Sequence, residues 1–101
     1  MEDASPDISM VLPLFNESAN LRPLVDALIP VLEGCGVTFE AIFIDDGSTD
    51  GSWETIRAIC NADSRFQGLS FSRNFGKEIA IAAGLDHARG KAVVIMDADL
   101  Q

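Results

Sequence analysis

Apolar runs of strand length alternate with helix-like segments along almost the whole chain, and this alternation constrains the fold more than any other feature. Strands are predicted at residues 8–12, 39–44, 68–72 and 92–96, with a helical segment in each interval. A strand–helix–strand order favours parallel strands joined by right-handed crossovers. We therefore expect an α/β, Rossmann-like parallel sheet of about four strands, in the order 3-2-1-4, with helices on both faces.

Two prolines and the start of the chain refine this prediction. Pro13 should end the first strand, and Pro30 should kink the first helix or end it early. Residues 1–7 are acidic and polar, which predicts a disordered N-terminal tail. Residues 8–101 then form a single domain.

The charge balance argues against nucleic acid as a partner. The chain has 16 Asp and Glu against 7 Lys and Arg, a formal net charge of −9, whereas phosphate backbones are bound with surplus basic residues. No apolar run approaches the roughly 20 residues that span a bilayer, and no signal peptide is visible. Cys35 and Cys60 have no short-range Cys or His companions, so we expect buried or half-buried free thiols in a reducing, cytoplasmic compartment.

The sharpest chemical signal is a pair of carboxylates behind the last apolar run. Asp97 and Asp99 alternate in position, so a continuing strand would aim both to the same side. Two anions held together repel each other and are costly to desolvate without a cation. The neighbouring sequence offers only Lys91, at the other end of the strand. This favours a divalent metal that carries a phosphate over a structural ion pair.

Three further polar clusters follow the other predicted strands: Pro13, Phe15 and Glu17; Asp45 and Asp46; and Arg73 and Lys77. The first cluster suits a nucleobase and a ribose, but also a turn with its ring in the core. The second can accept from a base N–H or cap the next helix. The third suits a diphosphate beside a helix N-terminus, or is an exposed loop with solvated bases. Parallel sheets bind ligands beyond the carboxyl ends of their strands, and all the clusters fall there.

Four segments together resemble the family 2 inverting glycosyltransferases of the GT-A fold, and most closely the bacterial polyprenyl-phosphate sugar transferases related to dolichol-phosphate mannose synthase. The segments span nearly the whole chain in the order typical of that family: residues 11–17, 45–48, 72–77 and 97–101. The family more often has Tyr where this chain has Phe15, which keeps a stacking ring and loses a hydroxyl.

The resemblance implies a role for each motif. Pro13, Phe15 and Glu17 would line the nucleotide pocket. The two acids of the second motif, Asp45 and Asp46, would read the base. The remaining positions would contact the diphosphate, the sugar or the metal: Arg73 and Lys77 on the diphosphate, Asp97 near the sugar or ribose, Asp99 as chief ligand of Mg²⁺ or Mn²⁺ beside Asp97, and Gln101 beside the donor. Asp97 and Asp99 would be the catalytic acids, with no general base assigned.

The resemblance also implies partners. The donor would be a UDP- or GDP-hexose, and the acceptor a polyprenyl phosphate at the cytoplasmic face of the membrane. Family members are longer than this chain, so we expect the N-terminal, donor-binding part of the enzyme, inactive alone. Its fourth strand would be a free edge, which invites homo-oligomerisation.

Two alternative interpretations remain open. A family 2 enzyme that uses a saccharide hydroxyl as acceptor would need a general base. A receiver-like Mg²⁺-binding signalling domain would also place acids at strand ends, but it would want its acid pair after the first strand. A dinucleotide-binding domain is disfavoured, because residues 13–17 are not a glycine-rich turn.

Overall fold

The structure, a computed structural model, describes residues 5–98 of the chain. Its elements are, in chain order, β1 (Ile8–Leu14), α1 (Ser18–Gly34), β2 (Phe39–Asp45), α2 (Ser52–Ala62), β3 (Phe66–Ser70), α3 (Lys77–His87) and β4 (Ala92–Ile95). The four strands pair in parallel in the order β3-β2-β1-β4. The predicted fold class and strand order are confirmed.

Alternation along the two central strands divides the core between the two faces of the sheet. On one face, Met10, Leu12 and Phe43 pack with the apolar sides of α1 and α2. On the other, Val11 and Ile44 pack with the α3 side. Both central strands are almost continuously apolar and buried, as expected for a parallel sheet that is covered on two faces.

Pro13 does not end β1, so that prediction was wrong. It lies inside the strand opposite Ile44 of β2. The carbonyl of Val11 accepts from Met96 on the β4 side, and the carbonyl of Leu14 accepts from Asp46 on the β2 side. Odd-numbered and even-numbered β1 residues therefore bond to opposite neighbouring strands. Pro13 shares the orientation of Val11, toward β4, whose last strand residue is Ile95. The missing N–H of Pro13 therefore costs the β1–β2 ladder nothing.

Helix α1 continues through Pro30 to Gly34, so the early end offered as one outcome at this proline does not occur, and Leu32 beyond it still packs into the core. One strand boundary also differs from the sequence prediction. Strand β3 starts at Phe66, which packs against the rings of Phe39 and Phe43. This buried ring anchors the strand two residues earlier than predicted.

The start of the described chain is attached to the sheet. Asp7 donates its N–H to the carbonyl of Thr38, while the carbonyl oxygens of Pro6 and Asp7 accept from Lys91 and Ala92. These two residues of the predicted tail are thus held in place, and residues 1–4 lie outside the described part.

The edge strand β4 carries apolar side chains that the described residues leave exposed: Val93, Val94 and Ile95 are each more than 40% accessible, at 41%, 42% and 46%.

The two cysteines differ in exposure. Cys35, directly after α1, is exposed, contrary to prediction, whereas Cys60 is half-buried. Burial raises the pKa of the Cys60 thiol.

Candidate functional site

A cavity of about 230 Å³ lies at the carboxyl end of the sheet, where β1 and β4 end beside the start of α3. It is lined by residues from four segments: Pro13, Leu14, Phe15, Glu17, Asp46, Lys77, Ala80, Asp97 and Ala98. Six of these positions belong to the clusters that the sequence singles out. The fold therefore gathers residues that are far apart in the chain into one concave surface.

Phe15 lies at the mouth of this cavity and is 45% exposed, so its ring is available for stacking. The turn that carries it is fixed by the loop after β2. Asn16 has a positive φ of 54°, donates its N–H to Ser48 Oγ and accepts from the Thr49 N–H. Glu17 donates its N–H to Ser52 Oγ and accepts from the Asn20 amide at 2.6 Å. These bonds orient Phe15 and Glu17 without a ligand.

Lys77 and Asp97 form an ion pair on the cavity wall. The Lys77 Nζ lies 2.6 Å from Asp97 Oδ1, and the two side chains are 58% and 51% exposed. The cation that pairs with Asp97 thus comes from α3. The metal prediction considered only the neighbouring sequence, and so it did not include this ion pair. Because an exposed pair of this kind contributes only about 0–1 kcal/mol, a ligand can displace either partner at little cost.

The two acids after β2 are buried and already hydrogen bonded. Asp45 is 1% exposed, does not line the cavity, and accepts from the Ser48 N–H through Oδ1. Asp46 is 4% exposed and lines the cavity, but its carboxylate accepts from the backbone of the loop that follows β3. Asp45 is therefore not brought to the cavity, and Asp46 reaches it with both oxygens engaged.

Arg73 is also not among the cavity residues. Its guanidinium lies 4.7 Å from the centre of the Phe75 ring, a cation–π contact on the loop before α3. Asn74 was not predicted as a site residue, but its side-chain amide donates to Asp46. The available signal was an amide two residues before Gly76, in the segment between a predicted strand and a predicted helix.

The predicted metal site falls partly outside the described residues, since Asp99 and Gln101 lie beyond residue 98. Within residues 5–98 no group of three or more His, Cys, Asp and Glu side chains is placed to hold a metal. Asp97 offers one exposed carboxylate at the cavity. That fits the way Mg²⁺ binds in many nucleotide enzymes, through one or two carboxylates together with substrate phosphates and water.

Comparison with known proteins gives the family. The sequence family described as Glycosyl transferase family 2 matches residues 9–101, so the chain belongs to it. The chain is 43% identical over 94 residues to "Putative glycosyltransferase CsbB" of Bacillus subtilis (strain 168), covering 93% of this chain and 29% of that protein. It is 39% identical over 95 residues to "Undecaprenyl-phosphate 4-deoxy-4-formamido-L-arabinose transferase" of Shewanella sediminis (strain HAW-EB3), covering 93% and 29%.

A solved structure carries the same fold. The mannosyltransferase PcManGT from Pyrobaculum calidifontis, in complex with GDP-Man and Mn²⁺, superposes with a TM-score of 0.78 at 25% identity, over 94% of this chain and 28% of that one. The resemblance inferred from the sequence motifs is thus confirmed at the level of family and fold, which disfavours the receiver-like alternative. The chain spans less than a third of the length of the curated relatives named here.

No helix in the described part of the chain, residues 5–98, is long and apolar enough to cross a membrane.

Proposed function

We propose that this chain is the nucleotide-sugar-binding part of an inverting glycosyltransferase that transfers a hexose to a polyprenyl phosphate. The observation that carries the proposal is the cavity at the carboxyl end of the sheet, where Phe15, Glu17, Lys77 and Asp97 meet. An aromatic ring, a cation and two carboxylates on one concave surface match the parts of a nucleoside diphosphate sugar. The family and the name of the Shewanella relative support this assignment.

The nucleoside would bind on the β1 side of the cavity. The exposed face of Phe15 offers a stacking surface for the base, and Pro13 stiffens the segment beneath it. The free oxygen of Glu17 would accept from a ribose hydroxyl, since its other oxygen is held by Asn20. UDP and GDP can both make these contacts, so the contacts do not distinguish uracil from guanine.

The diphosphate would bind at the start of α3. The first intrahelical hydrogen bond runs from Ala80 to the carbonyl of Gly76, so the N–H groups of residues 77–79 have no acceptor within the helix. These N–H groups, the positive end of the helix and Lys77 together favour an anion. Arg73 would join them by leaving the Phe75 ring, a contact worth about 1 kcal/mol at an exposed site.

Asp97 and Asp99 would hold Mg²⁺ or Mn²⁺ against the diphosphate, with Gln101 beside the donor. The cation would supply positive charge where negative charge develops on the leaving group. Lys77 would then pass from Asp97 to a phosphate oxygen, so that neither charge of the present ion pair is left without a partner.

In the proposed reaction an oxygen of the lipid phosphate attacks the anomeric carbon from the face opposite the diphosphate. The bond from that carbon to the diphosphate oxygen breaks, and the nucleoside diphosphate leaves with the electron pair, which inverts the anomeric centre. A phosphate monoester, with a second pKa of about 6, is largely ionised at neutral pH and needs little help from a general base. A lipid acceptor places the full-length enzyme at the cytoplasmic face of the membrane.

Calorimetric titration tests the donor assignment. UDP, GDP and their hexose derivatives are titrated into the chain with and without Mn²⁺, and into Asp97→Ala and Asp99→Ala. Asp86→Ala, at an exposed position late in α3, is the matched control. We expect Mn²⁺-dependent binding that both cavity variants weaken by about tenfold or more and the control retains. Binding that is indifferent to both substitutions would refute the site, and no binding to the folded chain would refute donor binding by this part alone.

Self-association through β4 is a separate proposal. Ala92 and Met96 donate toward β1, so the intervening N–H groups of Val93 and Ile95 point away from the sheet. With its exposed apolar side chains, this edge can pair with a second copy. Sedimentation of the chain should show a dimer that Val93→Lys converts to monomer; a monomeric parent chain would contradict it.

A further inference from the structure

Among the described residues 5–98, Asp46 is the one buried acid that both lines the cavity and bonds to a distant loop. Its Oδ1 accepts from the Phe75 N–H at 2.7 Å, and its Oδ2 accepts from the Gly76 N–H at 3.0 Å. The Asn74 side-chain amide donates to the same Oδ2 at 3.2 Å and to the Asp46 carbonyl at 3.2 Å. One carboxylate thus gathers three consecutive residues of the loop between β3 and α3.

The residue after Asp46 packs against the same loop. Gly47 has a φ of +78°, and a Cβ at this position would collide with the carbonyl carbon of Arg73 and the backbone N of Asn74. The loop backbone therefore occupies the space that any side chain at position 47 would need. Residues 46 and 47 form a seat for residues 73–76, the first by hydrogen bonds and the second by close contact.

This seat lies directly before α3. Gly76, held by Asp46, is followed by Lys77, the first residue of the helix. The Lys77 Nζ in turn lies 2.6 Å from Asp97 Oδ1 on the cavity wall. A continuous chain of contacts thus joins the Asp46 carboxylate to this cation and to the N-terminus of α3.

We propose that Asp46 is a positioning residue, which acts on the ligand through residues 73–76 and Lys77. The inference deepens the proposed function and rests on it for the identity of the ligand, a diphosphate. Both Asp46 oxygens accept from loop donors, so the carboxylate holds the loop before any ligand binds. A residue that positions the phosphate-binding groups affects every diphosphate equally, with or without a base.

Asp46→Asn tests the proposal, because it keeps the shape of the side chain but puts an amide NH₂ where one oxygen accepts. Asp45→Asn is the matched control: it is the neighbouring buried acid, and the hydrogen bond from the Ser48 N–H to its side-chain Oδ1 can persist in the amide. Asn74→Ala loosens the loop without touching the acid, should Asp46→Asn fold poorly. Each variant is titrated with inorganic pyrophosphate, UDP and GDP, and amide hydrogen exchange is measured without ligand.

We expect faster exchange at Phe75 and Gly76 in Asp46→Asn but not in Asp45→Asn. The affinities for pyrophosphate, UDP and GDP should all fall by a common factor of about ten, with the UDP-to-GDP ratio unchanged. Three results would overturn the proposal. These are a changed UDP-to-GDP ratio with pyrophosphate unaffected, unchanged affinities in a merely less stable protein, and unchanged exchange at both amides.

Failure of the proposed function is distinguishable from failure of this inference. If the unsubstituted chain binds none of the three ligands, the donor assignment fails for this chain. The exchange rates of Phe75 and Gly76 then decide the positioning role by themselves, since they are measured in the free protein.

Discussion

The two ends of the sheet use the same device, a buried carboxylate that captures a loop from far along the chain, with different consequences. At the amino end, Glu40 of β2 is 5% exposed. It accepts from the Ser9 hydroxyl at 2.6 Å, from the Arg89 N–H at 2.7 Å and from the Gln67 amide at 2.9 Å. The captured loop there is the one between α3 and β4.

At the carboxyl end, Asp46 captures the loop between β3 and α3. Each captured loop is followed by a lysine that pairs with an exposed aspartate. Lys91 lies 3.9 Å from Asp7 at the amino end, and Lys77 lies 2.6 Å from Asp97 at the carboxyl end. The local chemistry of the two ends is therefore closely similar.

What differs is the surface on which each lysine stands. The carboxyl end has strand termini and the first turn of α3 around its cavity, whereas the cavity of about 590 Å³ at the amino end is lined by both basic and acidic side chains. The same capture thus holds the loop before β4 at one end, and at the other end the loop before the start of α3, where we propose that a diphosphate binds. In parallel sheets, ligands bind in the crevice beyond the carboxyl ends of the strands. Sheet topology, not the captured loop, therefore distinguishes the two ends.

The largest effect should follow from breaking the seat at the carboxyl end. Gly47→Ala forces a side chain into the Arg73 backbone at a positive φ, so we expect a loss of about 3 kcal/mol in unfolding free energy. Gly36→Ala, before β2 at the other end, is the control: its φ is +70°, but no atom lies within 4 Å of the added Cβ. It should cost only about 1 kcal/mol. Equal losses by chemical denaturation would contradict the interlocked turns.

Breaking the amino-end capture should cost stability without touching the cavity. Glu40→Ala leaves the Ser9 hydroxyl and the Arg89 N–H without their acceptor, which should lower the unfolding free energy by about 2 kcal/mol. Diphosphate affinity of the folded chain should stay unchanged, in contrast to Asp46→Asn. A parallel loss of affinity in Glu40→Ala would show that the two ends are not separable.

Substituting the two lysines compares the two ends with a smaller expected change in unfolding free energy. Both ion pairs are exposed, so Lys77→Met and Lys91→Met should each change the unfolding free energy by less than about 1 kcal/mol. Only Lys77→Met should weaken pyrophosphate binding, by about tenfold. Calorimetry on the two variants side by side separates a general loss of positive charge from loss of this particular cation. Equal weakening in both would assign the effect to net charge.

The sequence predicted the architecture because that depends on periodicity within short segments. The burial of Leu12 and Phe43 and the alternation of elements follow from apolar spacing alone. It also located the carboxyl-end clusters, since topology brings strand ends together. It failed at Pro13, where the outcome depends on which neighbour the N–H would face, and hydrophobic patterns carry no such information.

Side-chain pairing across elements was the other thing the sequence could not supply. The contact between Lys77 and Asp97 joins the start of α3 to the end of β4, and nothing local to either residue encodes it. Glu40 could have been noticed, because a carboxylate between Phe39 and Ala41 in an apolar strand requires partners. Which partners these are depends on the register between β1, β2 and β3.

The effect of acid on stability separates the two ends by pH. Asp50 accepts from the Ser18 N–H and from the N–H and hydroxyl of Ser52, at the starts of α1 and α2. Burial raises its pKa, but these hydrogen bonds outweigh burial and lower the pKa of Asp50 from 3.8 to about 2. Burial likewise raises and hydrogen bonds lower the pKa of Glu40, which falls below its usual 4.5.

A lowered folded-state pKa stabilises the protein above the unfolded value, and this stability is lost as the pH falls through the folded value. For Asp50 the loss runs from 3.8 down to about 2, and for Glu40 it begins near 4.5. Asp50→Asn keeps an acceptor but cannot titrate, so unfolding free energy measured against pH should flatten at the lower end of this range. Glu40→Gln should flatten it at the upper end. If Asp50→Asn kept the full slope between pH 4 and pH 2, the helix starts at the carboxyl end would not depend on a charged acceptor.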